Sequence, residues 1–285
     1  MEFFNTGAEL FVPDGSALGD ALRRTTHAGV GAHPDDLEIM AYPGILNCFG
    51  SQTEWFLGAV VTDGGGSPRS DLYAKFTDEE MRAVRRAEQK KAATMGEYGA
   101  MAMLDYPSSA VKDAANTSVV EDIKRLLEAS RPSVVYTHNL ADKHDTHVAV
   151  GLRTIRALRE LPAGARPRAV YGCEAWRDLD WMSDSDKIVF DVGADEDLAA
   201  ALLGVFDSQI SGGKRYDLAT MGRRRAHATY YASHGTDVTT GMIFAMDLTP
   251  LVAGPGLDIQ SYVDGYIERF RQDVSARLAK LLKAG

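Results

Sequence analysis

The segment from Gly29 to Glu38 brings one imidazole and two carboxylates close together in the chain, on His33, Asp35 and Asp36. It overlaps residues 28–32, a small and apolar run typical of a buried strand. Imidazole and carboxylate groups are the ligands that a catalytic zinc ion usually takes. The segment therefore supplies part of a possible metal site.

A second polar segment, His138 to His147, follows another strand-like run, Ser133 to Thr137. It supplies the imidazoles that the first segment lacks. A catalytic zinc takes three protein ligands and leaves a fourth position for water or substrate. The two segments together could therefore complete one hydrolytic zinc centre.

We expect His33, Asp36 and His147 to be the three metal ligands. Two adjacent carboxylates cannot easily bind one ion in the same way, so Asp35 can turn toward the metal-bound water as general base. If the next helix begins near residue 143, the rings of His144 and His147 share one face of it. His144 can then stabilise the oxyanion or protonate a leaving amine. These parts suit the hydrolysis of an amide.

Each segment also has a simpler interpretation. The run His33-Pro34-Asp35-Asp36 could cap a helix, with a carboxylate accepting backbone hydrogen bonds. The second segment could be a solvated loop that enters a helix. Their joint placement after two strands favours the metal interpretation.

The chain has 285 residues, of which 45% are hydrophobic, and a formal net charge of −9. It can bury a substantial core, and its charge argues against a broad attraction to nucleic acid or to an anionic membrane. We interpret the basic run Arg223-Arg224-Arg225 as a solvated helix face.

Cys48 and Cys173 have no metal-ligand spacing and are expected to be buried thiols. The N-terminus does not resemble a signal peptide, and no apolar run is long enough to span a bilayer, so we expect a cytoplasmic protein without membrane insertion.

Strands and helices are predicted to alternate through the first part of the chain. The predicted strands cover residues 28–32, 55–62, 100–105, 133–137 and 169–173, and the helices between them cover residues 36–49, 78–98, 119–130 and 146–160. This alternation predicts an α/β fold, with a mostly parallel sheet flanked by helices and ligands beyond the carboxyl ends of its strands. Both polar segments lie at that edge.

The pattern changes from about residue 190. Helices are predicted over residues 199–209 and 214–231, a strand over 242–248, and an amphipathic helix over 259–283 that covers the core. We expect a single domain over residues 1–285, with a core over about 26–190 and a helical and strand extension over about 191–285.

The residues resemble a known family. Ala32-His33-Pro34-Asp35-Asp36-x-Glu38, followed by a distant His-x-x-His, is similar to the motifs of the LmbE-like or PIG-L family of zinc-dependent de-N-acetylases. Val60-Val61-Thr62-Asp63-Gly64-Gly65-Gly66 resembles the family's glycine-rich loop, and Arg85-x-x-Glu88 with Ala92-Ala93 and Met95-Gly96 resembles the helix after it. The resemblance covers roughly residues 26 to 175.

The resemblance implies a Rossmann-like fold and the hydrolysis of an acetamide on an amino sugar. The family's zinc ligands fall on His33, Asp36 and His147, its general base on Asp35 and its oxyanion-stabilising histidine on His144. Arg85 matches a family arginine near the substrate. Fe²⁺ could replace Zn²⁺ in the cell.

The chain departs from the family at one point. Many members carry His-Pro-Asp-His where this chain has His144-Asp145-Thr146-His147. The missing acid is thought to tune the catalytic histidine in the family. Asp145 or Asp142 could have taken over, or the pH optimum could differ, whereas zinc binding should survive.

Further residues are candidates for contacts to the substrate. They are Asp63 and Gly64 in the glycine-rich loop, Trp176, Asp142, and Arg69, which is equally well an ordinary surface arginine. Trp176 could grip a sugar face or simply pack. His27 and His138 could contact the metal ligands from behind and orient them.

The sequence thus predicts a zinc-dependent deacetylase that acts on an N-acetylglucosamine-type sugar or glycoside, and that could be a homo-oligomer. One alternative is an amidase or deacylase for another N-acylated sugar conjugate. Another is a noncatalytic Rossmann-like module that binds a sugar or nucleotide.

Overall fold

The computed structural model describes residues 1–254 and 256–282. Within them an eight-stranded sheet runs through the molecule. Its strands are β1 (Glu9–Phe11), β2 (His27–Gly31), β3 (Phe56–Thr62), β4 (Ala100–Tyr106), β5 (Val134–His138), β6 (Ala169–Cys173), β7 (Ile188–Asp191) and β8 (Met242–Asp247).

Helices flank the sheet. They are α1 (Leu18–Arg23), α2 (Asp36–Met40), α3 (Tyr42–Cys48), α4 (Asp78–Met95), α5 (Ser108–Lys112), α6 (Ser118–Ser130), α7 (Asp145–Glu160), α8 (Glu196–Gly204), α9 (Asp207–Ile210), α10 (Tyr216–Tyr230), α11 (Thr249–Ala253) and α12 (Ile259–Leu282). None of the described helices is both long enough and apolar enough to cross a membrane.

The strand order is β1-β4-β3-β2-β5-β6-β8-β7. The strands from β4 to β6 are parallel, and antiparallel pairings add β1 at one side and β8 and β7 at the other. The predicted α/β architecture is therefore confirmed. Every residue of β2, β3 and β5 is buried, as expected for parallel strands covered on both faces.

The close approach of α2 to the sheet depends on glycine. A Cβ atom on Gly29 of β2 would lie 2.8 Å from the Phe56 ring and 2.9 Å from the Leu37 side chain. No residue with a side chain fits there without displacing these neighbours. Gly29 therefore lets the helix that begins at Asp36 lie directly on the strand before it.

The single helix predicted over residues 36–49 is wrong, because the structure has two helices there. Pro43 has no N–H to donate to the Ile39 carbonyl, which is its helical partner four residues back. Ala41 leaves helical geometry (φ −98°, ψ 12°), and Arg224 donates to the Ile39 oxygen instead, at 3.1 Å. The helix predicted over residues 199–209 is likewise divided, into α8 and α9.

The prediction that the last helix covers the core holds only for its start. Val263 and Tyr266 are buried, but the apolar stripe that continues beyond them is exposed, on Ile267, Phe270, Val274, Leu278 and Leu281. Helical periodicity shows that a face is apolar and does not show what covers it. The predicted end at Lys283 lies outside the described residues.

Candidate metal centre and its cavity

The site lies where the strand order reverses. The chain goes outward from β2 through β3 and β4, and then returns to the other side of β2 as β5 and β6. The loops after β2 and β5 therefore turn away from each other and leave a crevice between them. The two polar segments of the sequence analysis occupy these loops.

His33, Asp36 and His147 meet in this crevice. Each offers a ligand atom, and these atoms lie within 4.8 Å of one another. Nε2 of His147 is 3.3 Å from Nδ1 of His33 and 3.4 Å from Oδ1 of Asp36. Two imidazoles and one carboxylate are a donor set that suits Zn²⁺ and other divalent transition metals.

Asp36 is held in an anionic form suited to binding a cation. Its Oδ2 accepts a hydrogen bond from the His33 backbone N–H at 2.7 Å. Burial acts to raise the pKa of Asp36, but the imidazoles of His147 and His138 outweigh it and hold that pKa well below its usual value.

His138 lies beneath the cluster at the end of β5. Its ring stacks on that of His147 with centroids 4.0 Å apart, and its Nε2 accepts the Ala32 backbone N–H at 2.9 Å. Burial and the neighbouring His147 lower the pKa of His138 to about 4, so this ring is neutral near pH 7. Its place beneath the cluster agrees with the supporting role considered for it.

His27 is the first residue of β2, at the end of the strand away from the metal cluster, and it contacts Tyr136. The supporting role considered for His27 is therefore wrong.

Asp35 has a strained backbone. Its φ of 95° is unusual for a residue with a side chain. Its N–H donates to Oε1 of Gln89 at 3.3 Å, and Arg85 donates to the Pro34 carbonyl and lies 3.5 Å from Oδ2 of Asp35. Burial raises the pKa of Asp35, against the opposing effect of Arg85.

A buried network supports this turn from behind. Oε1 of Glu38 accepts hydrogen bonds from Gln89 at 2.9 Å and from Tyr98 at 2.7 Å. Burial raises the pKa of Glu38 to about 7. Glu38 therefore fixes Gln89, which in turn fixes the backbone of Asp35.

His144 borders the cluster from the other loop. The helix predicted over residues 146–160 begins at Asp145, so His144 stands at its N-cap position and not inside the helix. The two rings are nevertheless neighbours, because the His144 ring stacks on His147 with centroids 4.5 Å apart. Burial and the adjacent His147 and His33 lower the pKa of His144.

A cavity of about 720 Å³ opens over the cluster. Its floor holds His33, Asp35, Asp36 and His144, and its walls include Asp63, Gly64, Arg85, Lys112, Trp176, Gln209, Lys214, Tyr216 and Arg223. Gly64 has a φ of 70°, and a Cβ there would lie 3.4 Å from the Arg85 side chain. The glycine-rich loop can therefore pass over Arg85.

Two of the predicted substrate contacts lie elsewhere. Arg69 does not line the cavity and donates to Asp78 and to the Gly65 carbonyl. Asp142 is buried behind His147, where Oδ2 accepts the Trp176 backbone N–H at 3.0 Å and Oδ1 accepts that of His144 at 3.1 Å. Asp142 therefore orders both the loop and the helix cap. Asp145 beside it is exposed.

The interpretation of Arg223-Arg224-Arg225 as a solvated face is wrong for two of its three residues. Arg224 is buried and donates to the Glu38 carbonyl at 2.8 Å, and its guanidinium lies 4.5 Å from the Tyr42 ring centroid. Arg223 lines the cavity and donates to the Ala175 carbonyl. Only Arg225 is exposed, in a pair with Glu196.

Sequence reasoning missed most of the outer wall. Gln209, Lys214, Tyr216 and Arg223 come from α9, α10 and the turn between them. No local motif marks them, because they reach the cavity only through the packing of these helices against the sheet. His234, considered for a pocket role, is exposed and does not line the cavity.

The fold and the site together indicate a class of protein: α/β proteins that can hold a metal ion in the crevice where the strand order reverses. Residues 29–158 match the PIG-L family, described as GlcNAc-PI de-N-acetylase. The uncharacterised deacetylase YaiS of Escherichia coli K12 is 26% identical over 153 residues, which are 53% of this chain and 77% of YaiS. This segment, which contains His33, Asp36 and His147, is therefore similar to the PIG-L (LmbE-like) family of de-N-acetylases.

Solved structures share the fold. N,N'-diacetylchitobiose deacetylase from Pyrococcus horikoshii has a TM-score of 0.54 at 17% identity, over 78% of this chain and 83% of its own. The pseudoaglycone deacetylase Dbv21 has a TM-score of 0.55 at 16% identity, over 78% and 97%. GalB, a 4-carboxy-2-hydroxymuconate hydratase from Pseudomonas putida KT2440, has a TM-score of 0.58 at 15% identity, over 79% and 95%. The fold therefore occurs with more than one reaction.

Proposed function

We propose that this chain is a metal-dependent hydrolase that removes the N-acetyl group from an N-acetylglucosamine-type sugar or glycoside. The observation that carries the proposal is the position of Asp35. Its carboxylate lies at the floor of the cavity, next to the His33, Asp36 and His147 set and beside Arg85.

His33, Asp36 and His147 would hold the metal. A zinc ion there would lower the pKa of a water molecule to about 7 and polarise the acetamide carbonyl. The buried anionic Asp36 supports this fit, because a buried carboxylate among imidazoles is stable when it binds a cation.

Asp35 would accept the proton of the attacking water. The new C–O bond forms at the acetamide carbon, the C–N bond breaks, and the proton passes to the amine, so that acetate and a free amine are released. The contacts of the Asp35 turn with Gln89 and Arg85 would hold its carboxylate toward the reacting atoms. His144, at the cavity floor, can donate to the developing oxyanion or to the leaving amine.

The names of the relatives support deacetylation, because YaiS, Dbv21 and the Pyrococcus horikoshii enzyme are all described as deacetylases. GalB shares the fold but is described as a hydratase, so the fold alone does not specify deacetylation. The reaction must therefore be tested directly.

The test measures metal content and acetate release together. We expect about one transition metal ion per purified chain, and acetate release from some members of a panel of N-acetylated sugars, glycosides and sugar-thiol conjugates. Asp35→Asn should keep the metal and lose acetate release, whereas His147→Ala should lose both. Asp145→Asn, in an exposed neighbour of the site, is the matched control and should change neither.

The alternatives give different results. Release of another carboxylic acid from longer N-acyl sugars, without acetate release, would indicate a different deacylase. Sugar binding with no metal and no hydrolysis would indicate a noncatalytic module. Full activity of Asp35→Asn would overturn the assigned base.

A further inference from the structure

The outer wall of the cavity is lined by nitrogen donors. Lys214, in the turn between α9 and α10, lines it, and Lys112 of α5 lines the same cavity from a different element. Neither lysine forms an ion pair within residues 1–254 and 256–282. Arg223 adds a third cation, whose only hydrogen bonds in the described chain go to the carbonyls of Ala175 and Trp176. Three positive charges thus face one cavity without a carboxylate partner.

The carboxylates of the same cavity are already engaged. Asp63 pairs with Arg82 at 3.0 Å, Asp35 lies beside Arg85, and Asp36 belongs to the metal cluster. Outside the metal cluster, the charged lining side chains that have no partner of opposite charge are positive, although the chain as a whole has a formal net charge of −9. This local reversal of sign attracts an anion.

Gln209 gives an independent indication of a ligand. It lines the cavity, is only 4% exposed, and its Nε2 has no hydrogen-bond partner among the described residues. Nη1 and Nε of Arg85 are likewise buried without a partner. A buried donor without an acceptor costs about 1–3 kcal/mol, so such groups in a cavity indicate an acceptor-rich ligand.

The position of this wall fits one substrate molecule that extends from the metal cluster. The Trp176 ring lies 5.7 Å from the ring of His144, which stacks on His147. Nζ of Lys214 lies 5.3 Å from the Trp176 centroid, and the Tyr216 ring lies 6.1 Å from the same centroid. A sugar whose acetamide faces Asp35 can therefore present a substituent to Lys214 and Gln209.

We propose that this wall is a subsite for an oxyanion, a phosphate or a carboxylate, carried by the substrate on the part remote from the acetamide. The inference rests on the proposed deacetylase function. It names the substrate class as acidic N-acetylated amino sugars, and it names Lys214 and Gln209 as the residues that select them.

The test compares substrates that differ only in the anion. The metal-loaded enzyme is assayed with N-acetylglucosamine, its 1-phosphate, its 6-phosphate and the carboxylate-bearing N-acetylmuramic acid. We expect kcat/KM for at least one acidic member to exceed that for the neutral sugar by about tenfold or more, the effect of one hydrogen bond to a charged group. The member preferred distinguishes phosphate from carboxylate and locates the anion on the ring.

Variants connect the preference to the wall. Lys214→Gln and Gln209→Leu should each lower the ratio of acidic to neutral kcat/KM several-fold, and added salt should weaken the preference of the wild type. Lys91→Gln, at an exposed lysine of α4 that does not line the cavity, is the matched control and should leave the ratio unchanged.

The outcomes separate the two proposals. Acetate release with no acidic preference, or with a preference that both variants retain, would overturn the subsite and leave the deacetylase intact. Acetate release from no substrate would overturn the proposed function. Calorimetric titration of the Asp35→Asn variant with glucose 6-phosphate and glucose would then test the subsite by itself. Equal binding of the two sugars would reject it.

Discussion

The Asp142 carboxylate supports the His147 ring from behind, with Oδ2 at 3.4 Å from Nδ1, while Nε2 of the same ring faces Asp36 at 3.4 Å. A carboxylate in this position fixes the orientation of a ligating imidazole and makes it a stronger base. Burial acts to raise the pKa of Asp142, but the hydrogen bond to His147 and the charges of His147 and His138 together outweigh it and lower that pKa. Asp142 therefore remains ionised behind the ring.

Asp142→Asn should weaken metal binding. Loss of the negative charge behind His147 is expected to lower zinc affinity by about 10- to 100-fold. Competition with a chromophoric chelator measures the affinity, and Asp145→Asn serves as the control because Asp145 is exposed. An unchanged affinity in Asp142→Asn would remove Asp142 from the metal centre.

Removal of the metal should lower the melting temperature. The folded chain brings His33, Asp36 and His147 together, whereas the unfolded chain does not, so bound metal stabilises the folded state. At a free metal concentration of 100 times Kd the gain is about 2.7 kcal/mol. Differential scanning calorimetry with and without a chelator measures it, and the difference should largely disappear in His147→Ala.

Arg224→Met should destabilise the fold much more than Arg225→Met. Arg224 donates to the carbonyls of Glu38 and Ile39, and its loss leaves them without these donors. We expect the free energy of unfolding to fall by about 2 kcal/mol. Arg225 forms an exposed pair with Glu196, for which the loss should be below about 1 kcal/mol. Urea unfolding monitored by circular dichroism gives both values, and equal values would contradict the buried role of Arg224.

Both cysteines should be unreactive in the folded protein. Burial raises the pKa of Cys48 to about 12 and also raises the pKa of Cys173. Since the thiolate is the reactive form, a thiol reagent at pH 8 should label neither residue rapidly in the native state and both in guanidinium chloride. Fast labelling of native protein would show that one of these sites opens readily.

Deletion of residues 272–285 should change stability little. The described part of this segment, residues 272–282, is exposed along its length, whereas the buried Val263 and Tyr266 lie before it. The free energy of unfolding should stay within about 0.5 kcal/mol of the full chain. A larger loss would mean that the exposed stripe is covered in solution.

Much of the fold was accessible from the sequence because its strands are short apolar runs that end at polar loops. The strand at residues 169–173 was predicted with its observed bounds, and the parallel order followed from the alternation with helices. The break at Ala41 has a local signal in Pro43, which the prediction of one helix did not take into account; only the replacement donor, Arg224, comes from far away in the chain. The exposure of α12 was missed because periodicity does not identify a partner surface.

The centre of the site was more predictable than its walls. His33, Asp36 and His147 come from loops that a parallel sheet must bring to one edge, and the predicted meeting of these residues is observed in the structure. Gln209 and Lys214 carry no such local signal, because only the packing of α9 and α10 places them at the cavity.

Residues from two separate parts of the chain line the cavity. Its floor comes from the segment that matches the family, whereas Trp176, Gln209, Lys214 and Arg223 lie after residue 158, where that match ends. Under the two proposals above, the reacting groups come from the earlier stretch, whereas Gln209 and Lys214, the residues proposed to select the substrate, come from the later one. Natural variation can retarget such a protein through the later stretch while the earlier one stays fixed, and a chimaera that exchanges only residues 205–232 is the corresponding route for engineering.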